Sequence, residues 1–164
     1  MKKIGLLSDT HGYLDDRILH HLQGCDEIWH AGDFGNSAVI ETLLALAPLR
    51  GVYGNIDGRD VRLTQPLVQS FELEGLRVLM THIGGYPGHY SPAARPLLQQ
   101  ERPGLFISGH SHILKVMPDP RLRLLHLNPG AAGRHGFHKV RTLLRFAVAD
   151  GKVQQLQAVE LGPK

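Results

Sequence analysis

Five short apolar runs each lead into polar residues, and this repeated pattern constrains the fold more than any other feature. Ile4–Leu7 leads to Asp9 and His11, Ile28–Ala31 to Asp33, Val52-Tyr53 to Asn55, Val78–Thr81 to His82, and Phe106–Ser108 to His110 and His112. Runs of this kind are typical of buried strands. Ligands of open α/β sheets bind beyond the carboxyl ends of the strands. The sequence therefore predicts one crevice in which the seven polar residues converge.

The first half of the chain alternates strands with amphipathic helices. Asp15 or Asp16 and Asn36 or Ser37 are suited to cap two helices, and Pro48 lies beyond the second. A strand–helix–strand–helix order favours right-handed crossovers and a parallel sheet.

The second half is richer in strands. Glu74-Gly75 and Asp150-Gly151 predict two hairpin turns, and Ser91-Pro92 opens a short helix whose length Pro96 limits. We expect two packed sheets with helices outside, in a single domain over residues 1–164.

Composition narrows the class of protein. A hydrophobic fraction of 42% and a charged fraction of 20% are those of a globular chain. No apolar run is long enough for a membrane span or a signal peptide, and a single cysteine, Cys25, excludes an internal disulfide. We expect a cytoplasmic protein. Charge is uneven, because residues 1–82 carry 7 Lys and Arg against 11 Asp and Glu, whereas residues 83–164 carry 11 against 4.

The seven strand-end donors suit metal ions. They are oxygen and nitrogen donors without a thiolate, a set that fits Mn²⁺ first, and also Zn²⁺, Fe or Ni²⁺. Seven donors exceed one four-coordinate zinc site and fit two ions that share a bridging carboxylate. If the backbone is extended, the pairs Asp9/His11 and His110/His112 each face the site together. The adjacent glycines 12, 32, 54 and 109 would allow tight turns.

The ordered motifs resemble the calcineurin-like metallophosphoesterase superfamily. They are Asp9-x-His11, Gly32-Asp33, Gly54-Asn55-x-Asp57, His82 and Gly109-His110-x-His112. The short chain and Asn128-Pro129-Gly130-Ala131 are most similar to its small YfcE-like/MJ0936-like phosphodiesterase branch. The resemblance covers residues 4 to about 130.

That resemblance implies a metallophosphoesterase fold, a four-layer α/β/β/α sandwich of two mixed sheets flanked by helices. It implies one metal on Asp9, His11, Asp33 and His112, and a second on Asp33, Asn55, His82 and His110, with Asp33 bridging. Ile56 stands where the superfamily motif Gly-Asn-His-Asp has its histidine. Members of the small branch often lack that histidine. This leaves the general acid unassigned and favours a structural role for Asp57 over an indirect role at the metals.

The predicted activity is phosphodiester hydrolysis by a metal-bridging water that becomes hydroxide, with Asp33 at the catalytic centre and no protein nucleophile. His138 and His89 are candidates for the missing acid. Arg134, Lys139 and Arg141, on the loop from Asn128 to Arg141, are candidates for binding substrate phosphate. A mobile, solvated loop explains their charge equally well.

Three alternatives remain open at this point. One is a non-catalytic scaffold of the same fold, as in a eukaryotic retromer subunit that resembles the superfamily. Another is a phosphomonoesterase or nucleotide hydrolase. A third is a nuclease, which Tyr86, Tyr90 and Phe137 support weakly as stacking residues. We expect a small phosphodiester substrate rather than nucleic acid, no membrane partner, and a homodimer through the C-terminal hairpin.

Overall fold

The chain forms two five-stranded sheets with helices on their outer faces. A computed structural model describes residues 1–164. The strands are β1 (Lys2–Leu7), β2 (Glu27–His30), β3 (Leu49–Gly51), β4 (Val68–Leu73), β5 (Leu76–Thr81), β6 (Leu105–Ile107), β7 (Leu114–Asp119), β8 (Leu124–Pro129), β9 (Val140–Ala149) and β10 (Lys152–Pro163). The helices are α1 (Asp16–Leu22), α2 (Ser37–Leu44), α3 (Arg59–Arg62) and α4 (Ala94–Glu101).

Both sheets are mixed. The first has the order β10-β9-β1-β2-β3, in which β1, β2 and β3 are parallel and β9 and β10 are antiparallel additions. The second has the order β4-β5-β6-β8-β7, with β5, β6 and β8 parallel between antiparallel edges. The parallel strands of each sheet place their carboxyl ends at one edge of the molecule.

Three apolar clusters hold four layers together. The largest, with 14 buried residues, lies between the sheets and includes Leu6, Trp29, Met80 and Ile107. A second packs α1 and α2 on the outer face of the first sheet, and a third packs α4 on the second sheet. The four-layer α/β/β/α arrangement predicted from the sequence is therefore confirmed.

Local signals in the sequence account for most of the element boundaries. Asp15 accepts a hydrogen bond from the Ile18 N–H at 2.9 Å, and Asn36 accepts one from the Val39 N–H at 3.2 Å. Both residues therefore cap helices as predicted. No helix is long and apolar enough to cross a membrane.

The prediction that Pro96 limits its helix is wrong. Helix α4 begins at Ala94 and continues to Glu101, so Pro96 lies in the first turn. The N–H groups of a first helical turn have no partner within the helix, so a proline there costs no hydrogen bond. The single-turn helix α3 was not predicted.

Candidate metal centre

The predicted metal ligands lie on loops that leave the carboxyl ends of five strands. Asp9 and His11 follow β1, Asp33 follows β2, Asn55 follows β3, His82 follows β5, and His110 and His112 follow β6. The first three strands belong to the first sheet and the other two to the second. The residues therefore meet where the edges of the two sheets face each other.

Six of these residues form two clusters of donor atoms. Asp9, His11 and His112 make one, and Asp33, His82 and His110 make the other, with donor atoms within 4.8 Å of one another in each. The Oδ1 atom of Asn55 lies 3.1 Å from Nε2 of His82 and 3.1 Å from Nδ1 of His110, so it joins the second cluster.

Asp33 lies between the clusters. Its Oδ2 atom is 3.5 Å from Nε2 of His11 and 3.2 Å from Nε2 of His82. Burial favours the neutral acid, but the bond and charge of His82 outweigh it and lower the pKa of Asp33. The side chain is almost fully buried and is suited to bridge two cations as a carboxylate.

The tautomer of His82 leaves room for a cation. Its Nδ1 atom is 2.7 Å from the Ala31 carbonyl, which can only accept, so Nδ1 carries a proton. Nε2 then points its lone pair at Oδ2 of Asp33, another acceptor. A proton or a metal ion must lie between them. Burial lowers the pKa of His82, but the nearby Asp33 and Asp9 outweigh it and raise the pKa, as expected where a cation is favoured.

His11 gives an independent indication that the site suits a metal ion. Its Nε2 atom is buried and has no hydrogen-bond partner, although it lies 3.9 Å from Oδ1 of Asp9. Burial lowers the pKa of His11 despite both carboxylates nearby. A neutral imidazole with an unused lone pair among carboxylates is the donor state that a divalent ion requires, so the residues present fit the implied metals.

The backbone at the site is left-handed. Asp9, His11, Asp33, His110 and His112 all have positive φ, between 47° and 73°. The expectation that Asp9/His11 and His110/His112 face the site from extended backbone is therefore wrong. His110 and His112 instead belong to different clusters. Backbone strain of this kind concentrates at functional sites, where the surroundings hold it in place.

Two of the adjacent glycines are required by close packing as well as by turns. Gly54 and Gly109 each begin a turn, since their carbonyls accept from the Asp57 and Ser111 N–H groups at 3.1 and 2.9 Å, but neither has positive φ. A Cβ atom on Gly54 would lie 2.7 Å from Cγ of Asp33, and one on Gly109 would lie 2.9 Å from Oδ2 of Asp9. Any side chain at these positions would push a carboxylate out of its cluster.

Asp57 ties two of the loops together. Its carboxylate accepts hydrogen bonds from the N–H groups of Phe34, Gly35 and Gly54 at 3.2, 2.9 and 2.8 Å. The loop after β2 is thereby fixed to the loop after β3. The structural role expected for this residue has a defined basis, since Asp57 orients the backbone that carries Asp33 and Asn55.

His30 contacts the loops that follow β1 and β2. Its ring stacks on Phe34 with centroids 3.7 Å apart, Nε2 lies 3.0 Å from Oγ1 of Thr10, and Nδ1 accepts from the Gly32 N–H. Burial lowers its pKa to about 3, so the ring is neutral. No role for His30 can be predicted from the sequence, because a histidine inside an apolar strand carries no motif.

A cleft of about 280 Å³ opens over the clusters, lined by His11, Asp33, His112, Ile56 and residues 135–137 among others. His135, which the sequence left without a role, lies with its ring centroid 4.8 Å from that of His11. Phe137 is fully exposed at the rim. Residues 135–137 lie on the loop between β8 and β9, and the path of that loop brings them over the metal residues.

The two candidate acids occupy different places. The His138 ring is 5.2 Å from that of His112, and its Nε2 atom donates to the Gly133 carbonyl at 2.8 Å. Burial lowers the pKa of His138. His89 lines a separate cavity beside His110.

Of the three basic residues predicted to bind phosphate, two are exposed and one is buried. Arg134 and Lys139 are exposed, and the Arg134 guanidinium lies 4.9 Å from the centre of the Tyr13 ring.

Arg141 requires a correction. It is 5% exposed and donates to Asp15 at 2.9 Å and to the carbonyls of Ala132, Leu161 and Pro163. Four of its five N–H groups are therefore used in holding β9, β10 and the N-cap of α1 together, and the guanidinium is buried away from substrate.

Two mixed sheets between helices, with carboxylate and imidazole clusters at their strand ends, define the metallophosphoesterase class of proteins. The chain belongs to the calcineurin-like phosphoesterase superfamily, because residues 1–151 match the family model described as a calcineurin-like phosphoesterase superfamily domain.

Relatives and solved structures agree with this class. A probable metallophosphoesterase of Methanothermobacter thermautotrophicus is 30% identical, over 78% of this chain and 76% of that protein. Phosphodiesterase MJ0936 of Methanocaldococcus jannaschii is 27% identical, over 78% of this chain and 82% of that protein. Zinc-bound Vps29 from Entamoeba histolytica shares the fold, with a TM-score of 0.72 at 16% identity over 98% and 99% of the two chains.

Proposed function

We propose that this protein is a divalent-metal-dependent phosphodiesterase with a two-metal centre, Mn²⁺ being the preferred ion. The observation that carries the proposal is the position of Asp33 Oδ2 between His11 and His82, one histidine of each cluster. One ion would be held by Asp9, His11, Asp33 and His112. The other would be held by Asp33, Asn55, His82 and His110.

The protein side chains would hold and orient this centre. Bound divalent ions at such a site lower the pKa of water and offset charge on the phosphoryl oxygens. The Ser8 hydroxyl and the His110 N–H donate to Oδ2 of Asp9 at 2.6 and 3.1 Å, and the Ile56 N–H donates to Oδ1 of Asp33 at 3.1 Å. Each carboxylate therefore keeps its other oxygen directed at the imidazoles.

No residue is well placed to protonate the leaving group. Ile56 lines the cleft where the superfamily motif has a histidine, and the His138 Nε2–H is bonded to a carbonyl. Esters with good leaving groups, such as phenolates, should therefore react faster than alkyl esters.

The test is hydrolysis of bis-p-nitrophenyl phosphate by chelator-stripped protein with and without added Mn²⁺. We expect activity only with the metal. Asp33→Ala should lower kcat by at least about thousandfold, because it removes a ligand of both ions. Asp16→Ala, which removes an exposed carboxylate on α1, is the matched control and should retain full activity.

The fold shared with Vps29 favours one second candidate, a non-catalytic scaffold. A folded protein that binds no metal and cleaves no phosphoester would support the scaffold. Cleavage of p-nitrophenyl phosphate in preference to the diester would support a phosphomonoesterase instead.

A further inference from the structure

A second cavity adjoins the metal cleft and has a different chemical character. It has a volume of about 220 Å³ and shares His110 and Ser111 with the cleft over the clusters. Its other walls come from the segment after β5, including Ile83 and Tyr86, and from Ile113 and Lys115 at the start of β7. A substrate phosphate at the clusters would therefore have one ester arm within reach of this space, which we call the lysine cavity.

Lys115 gives the lysine cavity its charge. Its Nζ atom lies 3.7 Å from the centre of the Tyr86 ring, and no carboxylate lies within ion-pair distance of it. None of the 13 lining residues is Asp or Glu. A half-buried ammonium held over an aromatic face, with no counter-ion, leaves its hydrogen-bond donors for a ligand.

Lys115 is the only lysine or arginine among the residues that line the cavity. His126 places Nδ1 3.1 Å from the Phe106 carbonyl, and burial together with the Lys115 charge lowers its pKa to about 4. The apolar walls reduce solvent screening, so the attraction between Lys115 and an anion is stronger than on an open surface.

We propose that the lysine cavity binds an anionic group, a phosphate, carried on one ester arm of the substrate, with Lys115 as its main ligand. The inference rests on the proposed function, since it names the class of phosphodiester that the metal centre would favour. Diesters with a second phosphate on one arm should be preferred to diesters without it.

Two chromogenic substrates that differ only in that phosphate test the proposal. They are the p-nitrophenyl ester of thymidine 5′-phosphate and the same ester with an added 3′-phosphate. For the Mn²⁺-loaded protein we expect kcat/KM to be roughly tenfold higher with the 3′-phosphate, equivalent to about 1.4 kcal/mol. Lys115→Met should remove the preference without lowering the rate on the ester that lacks the phosphate.

Two further variants separate charge from structure. Lys115→Arg keeps the charge and should keep most of the preference. Lys152→Met removes an exposed lysine at the start of β10 and should behave as the wild type. An unchanged preference in Lys115→Met, or an equal loss on both esters, would overturn the proposal.

Equilibrium binding separates this inference from the proposed function. By calorimetry, thymidine 3′,5′-bisphosphate should bind roughly tenfold more tightly than thymidine 5′-phosphate, and Lys115→Met should abolish the difference. If neither ester is hydrolysed but this difference is found, the phosphodiesterase proposal fails and the anion site stands. Equal affinities in the wild type would overturn the anion site.

Discussion

The two sheets contribute different chemistry to the same site. Loops of the first sheet bring the oxygen donors Asp9, Asp33 and Asn55 together with His11, whereas loops of the second bring only imidazoles. Each cluster contains residues from both sheets. Neither sheet can therefore form a metal site alone, and the packing between the sheets sets the distance between carboxylates and imidazoles.

The two contributions also differ in how firmly they are held. Asp9 and Asp33 are almost fully buried, and their loops are joined by the His11 N–H, which donates to the Asp33 carbonyl at 3.0 Å. His110 is exposed. The two carboxylates of the first sheet are thus a fixed frame, while His110 of the second sheet lies open to solvent and substrate.

After Asp33→Ala, the largest effect should come from removing one histidine from each cluster in turn. His82→Ala and His112→Ala should each lose one of the two proposed ions and lower kcat/KM by about a hundredfold or more. Each substitution removes one donor from one of the two clusters. Metal content by atomic emission and rates on the diester would measure this. His20→Ala on α1 is the control, and retention of both ions by both variants would contradict the assignment.

A smaller effect should follow from weakening the hydrogen bonds that hold the ligand-bearing loops, without replacing a proposed metal ligand. Asp57→Asn keeps the shape but weakens the bonds to the N–H groups of Phe34, Gly35 and Gly54. We expect metal affinity to fall by about 10–100-fold, as for other residues that orient ligands. Asp60→Asn, whose carboxylate accepts only from the Ser37 N–H, should bind metal normally. Similar affinities for Asp57→Asn and the wild type would show that the frame holds without this residue.

The smallest effect on the metal centre, with an effect on stability instead, is expected from a histidine in the second sheet. Burial holds the pKa of His126 at about 4 instead of 6.5, so below pH 6.5 the unfolded chain binds a proton that the folded chain does not. Stability from this residue is present above pH 6.5 and is lost as the pH falls toward 4. His126→Gln should remove that loss, up to about 3 kcal/mol, in metal-free protein.

Urea unfolding of both proteins at pH 7.5 and pH 4.5 would measure this difference. The wild type should lose more stability than the variant on acidification. Equal losses would mean that His126 is already protonated in the fold. His30, with a pKa of about 3 in the first sheet, leaves a remaining acid sensitivity in both proteins.

Much of this architecture could be predicted because its signals are local. Asp15 and Asn36 are caps next to the helices they start, and the turns at Glu74-Gly75 and Asp150-Gly151 form hairpins as predicted. The seven donors could be found because each follows an apolar strand.

Other features depend on contacts that a sequence does not contain. Arg141 was expected in a phosphate site because its charge was visible and its partners, Asp15 and Leu161, lie far away in the chain. The left-handed backbone of His110 and His112 cannot be predicted in this way, because residues that follow a strand are expected to stay extended. The positions of His135 at the metal cleft and of Lys115 in the adjoining cavity depend on the path of the loop after β8 and of strand β7.

The left-handed conformations also affect how the protein would respond to artificial selection. Glycine adopts positive φ more readily than Asp or His, so replacing His11 or His112 with glycine would relieve backbone strain while removing a donor. A library selected only for resistance to heat should therefore enrich glycine at these positions and yield stable proteins without activity. Screening for thermostability would need a simultaneous screen for turnover to preserve the site.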